Sequence, residues 1–425
     1  FCETYILVQD NMFDLCGGDG DGSIAGTIAT ENNNTVNDVE VTLSGTMDQF
    51  NITAADGGYT FTAQSGGDYT VTPLLDLDHS NGVSTFDLVL ISRHILGVQP
   101  LDSPYKMIAA DVDNSEFISV SDLIQLRKLI LSITSEFENN TSWRFVDAAY
   151  SFPQPTNPWS EEFPEVINVN NLAEGAAING DFIGVKIGDV SGDVELSNFA
   201  SVDDRTVGTF EFNVAEQAVK AGNEFTVDFT AEQVAAITGY QMTLNFDVTA
   251  LELVDVVYGV ATADNFGFRF LDEGSITSSW DGEATANDVL FSLVFRSNAD
   301  AQLSELLSVS SRYTKAEAYN TNDDQLDVAI AFSGATATAA FELYQNTPNP
   351  FKGETVVGFN LPAEMNATIT VHDVSGKTLK LIRGDFAKGY NQIRLNSSEL
   401  PAVGVLYYTL ETADFTATKK MIIIE

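Results

Sequence analysis

Two acidic loops of twelve residues, alike in pattern, each running into a helix-period segment, constrain this chain most. They are Asp76-Leu-Asp78-His-Ser80-Asn-Gly82-Val-Ser84-Thr-Phe-Asp87 and Asp111-Val-Asp113-Asn-Ser115-Glu-Phe117-Ile-Ser119-Val-Ser-Asp122. Both put oxygen donors at loop positions 1, 3, 5, 9 and 12, with a backbone carbonyl available at position 7. Calcium takes six to eight hard oxygens at about 2.3–2.6 Å, so each loop can in principle wrap one ion. Leu88, Ile91, Ile95 and Leu96 follow the first loop at helical spacing until Gly97, and Leu123, Leu126, Leu129, Ile130 and Ile133 follow the second. The plainer alternative is that Asp and Ser merely cap the two helices. The tandem repetition favours calcium.

Two loop-plus-helix units without an entering helix resemble a type I dockerin. The resemblance implies Asp76, Asp78, Ser80, Gly82 through its carbonyl, Ser84 and Asp87 as ligands of a first Ca²⁺. For a second ion it implies Asp111, Asp113, Ser115, Phe117 through its carbonyl, Ser119 and Asp122. Position 6, usually Gly, is Asn81 in the first loop and Glu116 in the second, and Glu suits a positive φ less well. The second loop is therefore expected to bind more weakly. Dockerins present a helix face to a cohesin sheet, which implies Ser92, Arg93, His94, Gln125, Arg127 and Lys128 as contact residues.

The chain has 425 residues and a formal net charge of −41. Such a field repels nucleic acid and anionic membrane, so neither is an expected partner. The charge is uneven: residues 1–340 carry 12 basic and 52 acidic side chains, whereas the remainder carries 8 and 9. The final segment is thus a chemically different unit, and the length predicts several domains. No run of about 18 apolar residues predicts a membrane-spanning segment. The chain opens on Phe1 without Met or signal peptide and is expected to be a mature or truncated piece of a longer one. Cys2 and Cys16, the only cysteines, are expected to form a disulfide in an oxidising compartment, with two separate thiols as the alternative.

Elsewhere the pattern is mainly β, as tandem β-sandwich modules with one small α-helical calcium-binding, dockerin-like module at 76–135. Residues 1–18, with Phe-Cys-Glu-Thr-Tyr-Ile-Leu-Val, resemble the last strand of a truncated immunoglobulin-like repeat of Bacteroidota surface proteins. Residues 19–75 alternate apolar and polar positions and resemble carboxypeptidase regulatory-like β-sandwich spacers. Asp19-Gly-Asp21 ahead of them reads as an acidic linker, with a further calcium site as the alternative. Residues 136–204, with Trp143-Arg-Phe and Trp159, are expected to form an extension packed on the dockerin-like helices. They end in Asp189-Val-Ser191-Gly-Asp193, a lesser candidate for an ion.

Gly222-Asn-Glu-Phe-Thr-Val, Ile237-Thr-Gly-Tyr-Gln-Met-Thr-Leu-Asn-Phe-Asp247 and the Phe291–Phe295 strand resemble a cohesin β-sandwich over 205–336. Residues 337–425 carry Pro348-Asn-Pro-Phe351, a Ser-Gly-Lys377 turn and the terminal Lys419-Lys-Met-Ile. They resemble the type IX secretion system C-terminal sorting domain of the Bacteroidota, which implies export across the outer membrane to the cell surface or medium.

No catalytic site is expected. His79 and His94 fall within the dockerin-like segment and His372 in a strand of the sorting-domain-like segment, so no Ser/His/Asp or Cys/His set is expected, and neither a phosphate loop nor a His-Glu-x-x-His motif occurs. The reading is a secreted structural or adhesion protein that acts by protein–protein contact. Its partners would be other modules, copies of itself in a filament, or its own cohesin-like domain in a clasp, besides the secretion machinery in transit. The alternative is a glycan-binding or scaffold component of a polysaccharide-degrading assembly, with Tyr258, Phe266, Phe268, Phe270 and Trp280 as an aromatic platform.

Overall fold

The computed structural model describes residues 21–196, 206–333 and 341–424, apart from 347, 363, 375, 388, 401–403, 413 and 414. The strand expected at 1–18, the Cys2–Cys16 bridge and Asp19 lie outside the described residues. The chain divides into two compact units, 1–333 and 334–425.

The first unit begins with β1 (Gly22–Ala29), β2 (Glu40–Gly45), β3 (Gln49–Ile52), β4 (Gly58–Ala63) and β5 (Tyr69–Leu74). The period-2 pattern sets their faces: Tyr59, Phe61 and Ala63 of β4 are buried while Thr60 and Thr62 are exposed. Three helices follow, α1 (Thr85–Ile95), α2 (Pro104–Ala110) and α3 (Val120–Ile130). Ser84 and Ser119 cap α1 and α3, each in a capping box completed by the Asp three residues on, Asp87 or Asp122. Leu88, Ile91, Leu126, Leu129 and Ile130 turn inward and join Met107 and Ile108 of α2 in one core.

Residues 136–196 differ from the expected extension. Phe137, Phe163, Val185 and Ile187 do pack on the helices. The segment also contributes β6 (Trp143–Asp147), β7 (Ile167–Val169), β8 (Ala177–Asn179) and β9 (Phe182–Lys186) to the first sandwich. One sheet runs β4-β1-β9-β6 with β8 also on β1; the other runs β3-β2-β5-β7. β8 and β9 pair parallel to β1, a long-range register that local periodicity cannot announce. Gly26 marks the close approach, because a Cβ there would lie 2.3 Å from the Gly180 carbonyl oxygen. The sandwich of residues 19–75 is therefore completed from the far side of the helices, by Trp143, Phe145 and Phe182 in its core.

The larger sandwich comprises β10 (Thr209–Ala215), β11 (Ala218–Val219), β12 (Glu224–Thr230), β13 (Ile237–Phe246), β14 (Leu251–Tyr258), β15 (Phe266–Gly267), β16 (Ser275–Asp281), β17 (Val289–Ser297), β18 (Ala301–Gln302), β19 (Leu307–Ser310), β20 (Glu317–Asn320) and β21 (Gln325–Ser333). Its main sheet is ordered β14-β17-β12-β10-β21-β20-β13-β16-β15, with β19 on β13. An aromatic core of Phe210, Phe212, Phe229, Tyr240, Phe291 and Phe295 fills it.

The second unit is a separate antiparallel sandwich. Its strands are β22 (Glu342–Leu343), β23 (Glu354–Leu361), β24 (Met365–Asp373), β25 (Thr378–Phe386), β26 (Gly389–Asn396), β27 (Gly404–Glu411) and β28 (Thr416–Ile423). They form sheets β22-β23-β26 and β25-β24-β27-β28. The Pro-Asn-Pro-Phe segment is tied to the last strand, as Phe351 N–H donates to the Ile422 carbonyl at 2.9 Å.

Because β1 keeps β4 and β5 keeps β2 but each loses its other neighbours, β8 and β9 or β7, along with the core residues Trp143, Phe145 and Phe182, a chain of residues 19–75 alone is expected not to fold. A two-dimensional amide NMR spectrum of that fragment would show collapsed dispersion; well-dispersed amides would contradict the shared sandwich.

Candidate functional site

Strands β13 and β16 are buried on both faces. One face carries Tyr240, Met242, Leu244 and Trp280 into the aromatic core. The other carries polar residues, yet Gln241, Thr243, Thr277 and Ser279 are all at most 2% exposed. Buried polar groups need partners; Thr243 finds its own in the Tyr313 and Thr314 backbone, and for Gln241, Thr277 and Ser279 the partners include the ends of the helices. Gln241 Oε1 accepts from Thr85 N at 2.6 Å and from Thr85 Oγ1 at 2.9 Å, and Thr85 Oγ1 lies 2.7 Å from Ser279 Oγ. The first amide of α1, which no intrahelical carbonyl can satisfy, is thus bonded by the sheet.

The C-terminal end of α3 is received likewise. Thr277 Oγ1 donates to the Leu131 carbonyl and Thr314 Oγ1 to the Ile130 carbonyl, each at 2.6 Å. Arg269 donates to the Ser132 carbonyl at 3.3 Å. Arg93 forks onto Asp323 at 2.9 and 3.0 Å, Arg127 pairs with Asp281, and Phe86 stacks on Tyr319 with centroids 5.0 Å apart. Burial pushes the Asp281 carboxyl up, and the Arg127 charge opposes that shift. Glycine permits the approach at β15: a Cβ on Gly267 would lie 2.6 Å from the Leu131 carbonyl oxygen.

Of the contact residues expected from sequence, Arg93 and Arg127 reach the sheet. His94 turns inward, its Nδ1 accepting from Leu101 N at 3.1 Å. No hydrogen bond from a Ser92, Gln125 or Lys128 side chain to the sheet is seen among the described residues. Sequence reasoning missed Thr85, Gln241, Thr277, Ser279 and Thr314. The available signal was the polar alternation of Gln241-Met-Thr243 in a strand otherwise shaped for a core.

The two acidic loops differ. Asp111, Asp113 and Asp122 bring their carboxylate oxygens within 4.8 Å of one another, the only such group of His, Cys, Asp and Glu among the described residues. Asn114 and Glu116 take φ of 55° and 62°, so Glu116 adopts the left-handed turn expected to disfavour it. Asp111 holds the turn by accepting from Ser115 N at 2.8 Å and Glu116 N at 2.9 Å. Asp122 accepts from Asp113 N at 3.1 Å and Ser119 N at 2.8 Å. Asp113 Oδ1 is buried without a hydrogen-bond partner. Burial pushes Asp122 up to about 6, with the Asp113 and Asp111 charges adding to the shift. An orphaned carboxylate oxygen among three converging acids fits a hard divalent cation.

The first loop does not assemble this way. Asp76 and Asp78 are exposed, whereas Asp87 is fully buried. Asp76 Oδ1 accepts from Ser142 N at 2.8 Å and pairs with His79 Nε2 at 3.1 Å. Asp87 Oδ1 accepts from Val190 N and Ser191 N, both at 2.8 Å, and Oδ2 from Ser84 N at 2.8 Å and Ser84 Oγ at 3.1 Å. Burial, then the nearby Asp189 and Asp193 charges, push Asp87 well above the usual carboxylate range. Asp189, considered as a ligand in its own right, instead anchors its own turn through Gly192 N at 2.6 Å and Val194 N at 3.0 Å. Asp21 is described but gathers no other acids, and its neighbour Asp19 is outside the described residues.

Of the five residues expected as an aromatic platform, Tyr258 and Phe268 are exposed, whereas Phe266 and Trp280 are 4% exposed within the core and Phe270 stacks on Tyr313 at 3.6 Å. The three histidines sit apart, His79 by Asp76, His94 by Leu101 and His372 on Tyr407. None faces a nucleophile among these contacts.

Comparison with known families now gives the larger sandwich its place. The family described as "Cohesin domain" matches residues 209–336. The chain carries a cohesin domain. The family described as "Secretion system C-terminal sorting domain" matches residues 347–424, which implies export to the cell surface or medium. Cohesin domains are non-enzymatic interaction modules, and no helix among the described residues is long and apolar enough to cross a membrane. Solved structures similar to the chain include a cohesin of Clostridium acetobutylicum, CaCohA2, at 18% identity, covering 30% of this chain and 94% of that one with a TM-score of 0.22. A cohesin–dockerin complex of Clostridium thermocellum has 12% identity and covers 30% of this chain and 100% of that one, TM-score 0.23. A type II cohesin dyad of Acetivibrio cellulolyticus has 10% identity and covers 50% and 92%, TM-score 0.25. Among curated proteins none matches.

Gln241→Ala leaves the Thr85 amide buried without an acceptor and should destabilise the first unit by about 1–3 kcal/mol, read from urea unfolding. Loss below ~0.5 kcal/mol would show that the sheet contact is not supporting α1.

Proposed function

We propose that the protein is a secreted, non-enzymatic modular surface protein of a Bacteroidota type, in which a dockerin-like module is clasped by the chain's own cohesin domain. The observation that carries this reading is the double burial of β13 and β16. Their polar face is saturated by α1 and α3 of the same chain, so the surface that would receive an outside helix is already taken. Tethering favours the internal partner, because two modules joined by a spanning linker see each other at roughly millimolar effective concentration. The clasp makes a stiff element of three modules out of parts that are individually small. Head-to-tail joining into a filament would require one chain's helices to replace another's.

Calcium, in this proposal, is held by Asp111, Asp113 and Asp122, with Ser115, Ser119 and the Phe117 carbonyl completing the shell. When bound, the ion neutralises three carboxylates that otherwise repel one another at the start of α3. Its role is structural: the residues fix the origin of α3, and α3 presents Ile130 and Leu131 to the sheet. The glycan-binding alternative draws no support from the buried Phe266 and Trp280.

Light scattering with size-exclusion chromatography tests the clasp. A monomer mass independent of protein concentration is expected in millimolar calcium, with a larger hydrodynamic radius but the same mass after chelation. Mass that rises with concentration only when calcium is present would replace the clasp by a filament. Chelation is further expected to lower the unfolding free energy by about 2.7 kcal/mol at calcium one hundredfold above its Kd. An unchanged denaturation curve would remove calcium from the account.

A further inference from the structure

The two loops share a donor pattern in sequence, but the first differs in where its lone pairs go. A carboxylate offers about four acceptor sites. Asp87, at loop position 12, fills four: Val190 N, Ser191 N, Ser84 N and Ser84 Oγ, at 2.8 to 3.1 Å. Position 12 is where a calcium loop needs a free carboxylate. Asp122, its counterpart, fills three, from Asp113 N, Ser119 N and Ser119 Oγ at 2.8 to 3.3 Å, and Asp113 beside it keeps a buried oxygen unbonded.

A positive charge is nevertheless present at the first loop. Lys186, at the end of β9, is 4% exposed, and its Nζ donates to the His79 carbonyl, at loop position 4, at 2.8 Å and to the Ile187 carbonyl at 3.4 Å. Asp189, Asp78, Asp87 and Asp76 all act on its ammonium electrostatically. A lysine is almost never buried without such compensation. The turn after β9 also closes on the loop. A Cβ on Gly82, at loop position 7, would lie 2.7 Å from Val194 Cα, and Asn81 exchanges hydrogen bonds with the Glu195 backbone at 2.8 and 3.0 Å.

We infer that the first loop is not a metal site: the ammonium of Lys186 and the backbone of residues 190–195 hold it in the way an ion would, and the chain takes one calcium, not two. The stoichiometry rests on the second-loop reading above; the cation-free first loop does not. The partition has a structural logic. The first loop leads into α1, whose N-terminus is fixed on the sheet, and a lysine cannot dissociate when calcium falls. The dissociable ion is left to the loop before α3.

Native mass spectrometry and calorimetric titration of the full chain with calcium chloride test this. The chain should bind one ion; Asp122→Asn should bind none, and Asp78→Asn, an exposed change that suits the φ of 48° there, should still bind one. Two ions on the unsubstituted chain, or an ion lost on Asp78→Asn, would overturn the inference. A chain that binds none refutes the second-loop reading alone. Lys186→Met decides the lysine's part independently: its melting midpoint in EDTA should fall by several degrees, and an unchanged midpoint would mean that Lys186 is not the resident cation.

Discussion

The arrangement of the first unit depends on one constraint, that helix ends carry amides and carbonyls with no partner inside the helix. In most small helical modules water or caps satisfy them. Here the N-terminal end of α1 and the C-terminal end of α3 are pressed against a sheet, where water is excluded and a missing partner costs about 1–3 kcal/mol. The sheet answers with side chains of both senses. Gln241 offers an acceptor to the Thr85 amide, while Thr277 and Thr314 offer donors to the Leu131 and Ile130 carbonyls. A sheet with apolar residues at these positions would bury more hydrocarbon but would leave those groups orphaned. The polar face therefore specifies which helix ends dock and in which orientation, and the two arginine pairs at Asp323 and Asp281 fix the rotation.

Much of this could be read from the residues. Period-2 alternation marked the strands of both larger sandwiches, and the loop-plus-helix repetition located α1 and α3, because those patterns are local and are set by burial of one face. The parallel pairing of β1 with β8 and β9 was not legible. It joins residues some 150 positions apart, and nothing in the composition of either segment identifies the other as its partner. The contact residues divided similarly. Arg93 and Arg127 stood out as charges on helices, but Gln241 and Thr277 look like ordinary outward-facing strand residues, and Thr314 like an ordinary loop residue, until the opposing helix is known.

The loops show why a motif is weaker than its environment. Glu116 looked the poorer residue for a left-handed turn, yet the second loop is the one whose carboxylates converge. An unfavourable φ of this kind costs on the order of 1 kcal/mol and is outweighed by two backbone amides bonded to Asp111. The first loop has the milder Asn81 at position 6, but the Asp189–Glu195 segment, more than one hundred residues downstream, supplies donors that fill Asp87. Position-by-position matching cannot register a competitor that arrives from elsewhere in the chain.

The same reasoning bears on the net charge of −41. Dispersed over a solvated surface, carboxylates are screened within about 10 Å at ordinary ionic strength and cost little. The expensive ones are those the fold buries, and these have their remedies: Arg127 for Asp281, the Ser84 and backbone donors for Asp87 with the Lys186 ammonium acting on it electrostatically, and amides for Asp189. Asp111, Asp113 and Asp122 converge on one another with amides but no cationic side chain in bonding contact among the described residues, and they leave the buried Asp113 Oδ1 without a donor. Arg144, the cation that acts on Asp111, donates instead to Glu165 and Asn114. A protein carried outside the cell by its sorting domain meets a medium in which a divalent cation can fill that role. The demand for an ion thus follows from which buried acids the chain leaves uncompensated, more directly than from the spacing of Asp and Ser in the loop.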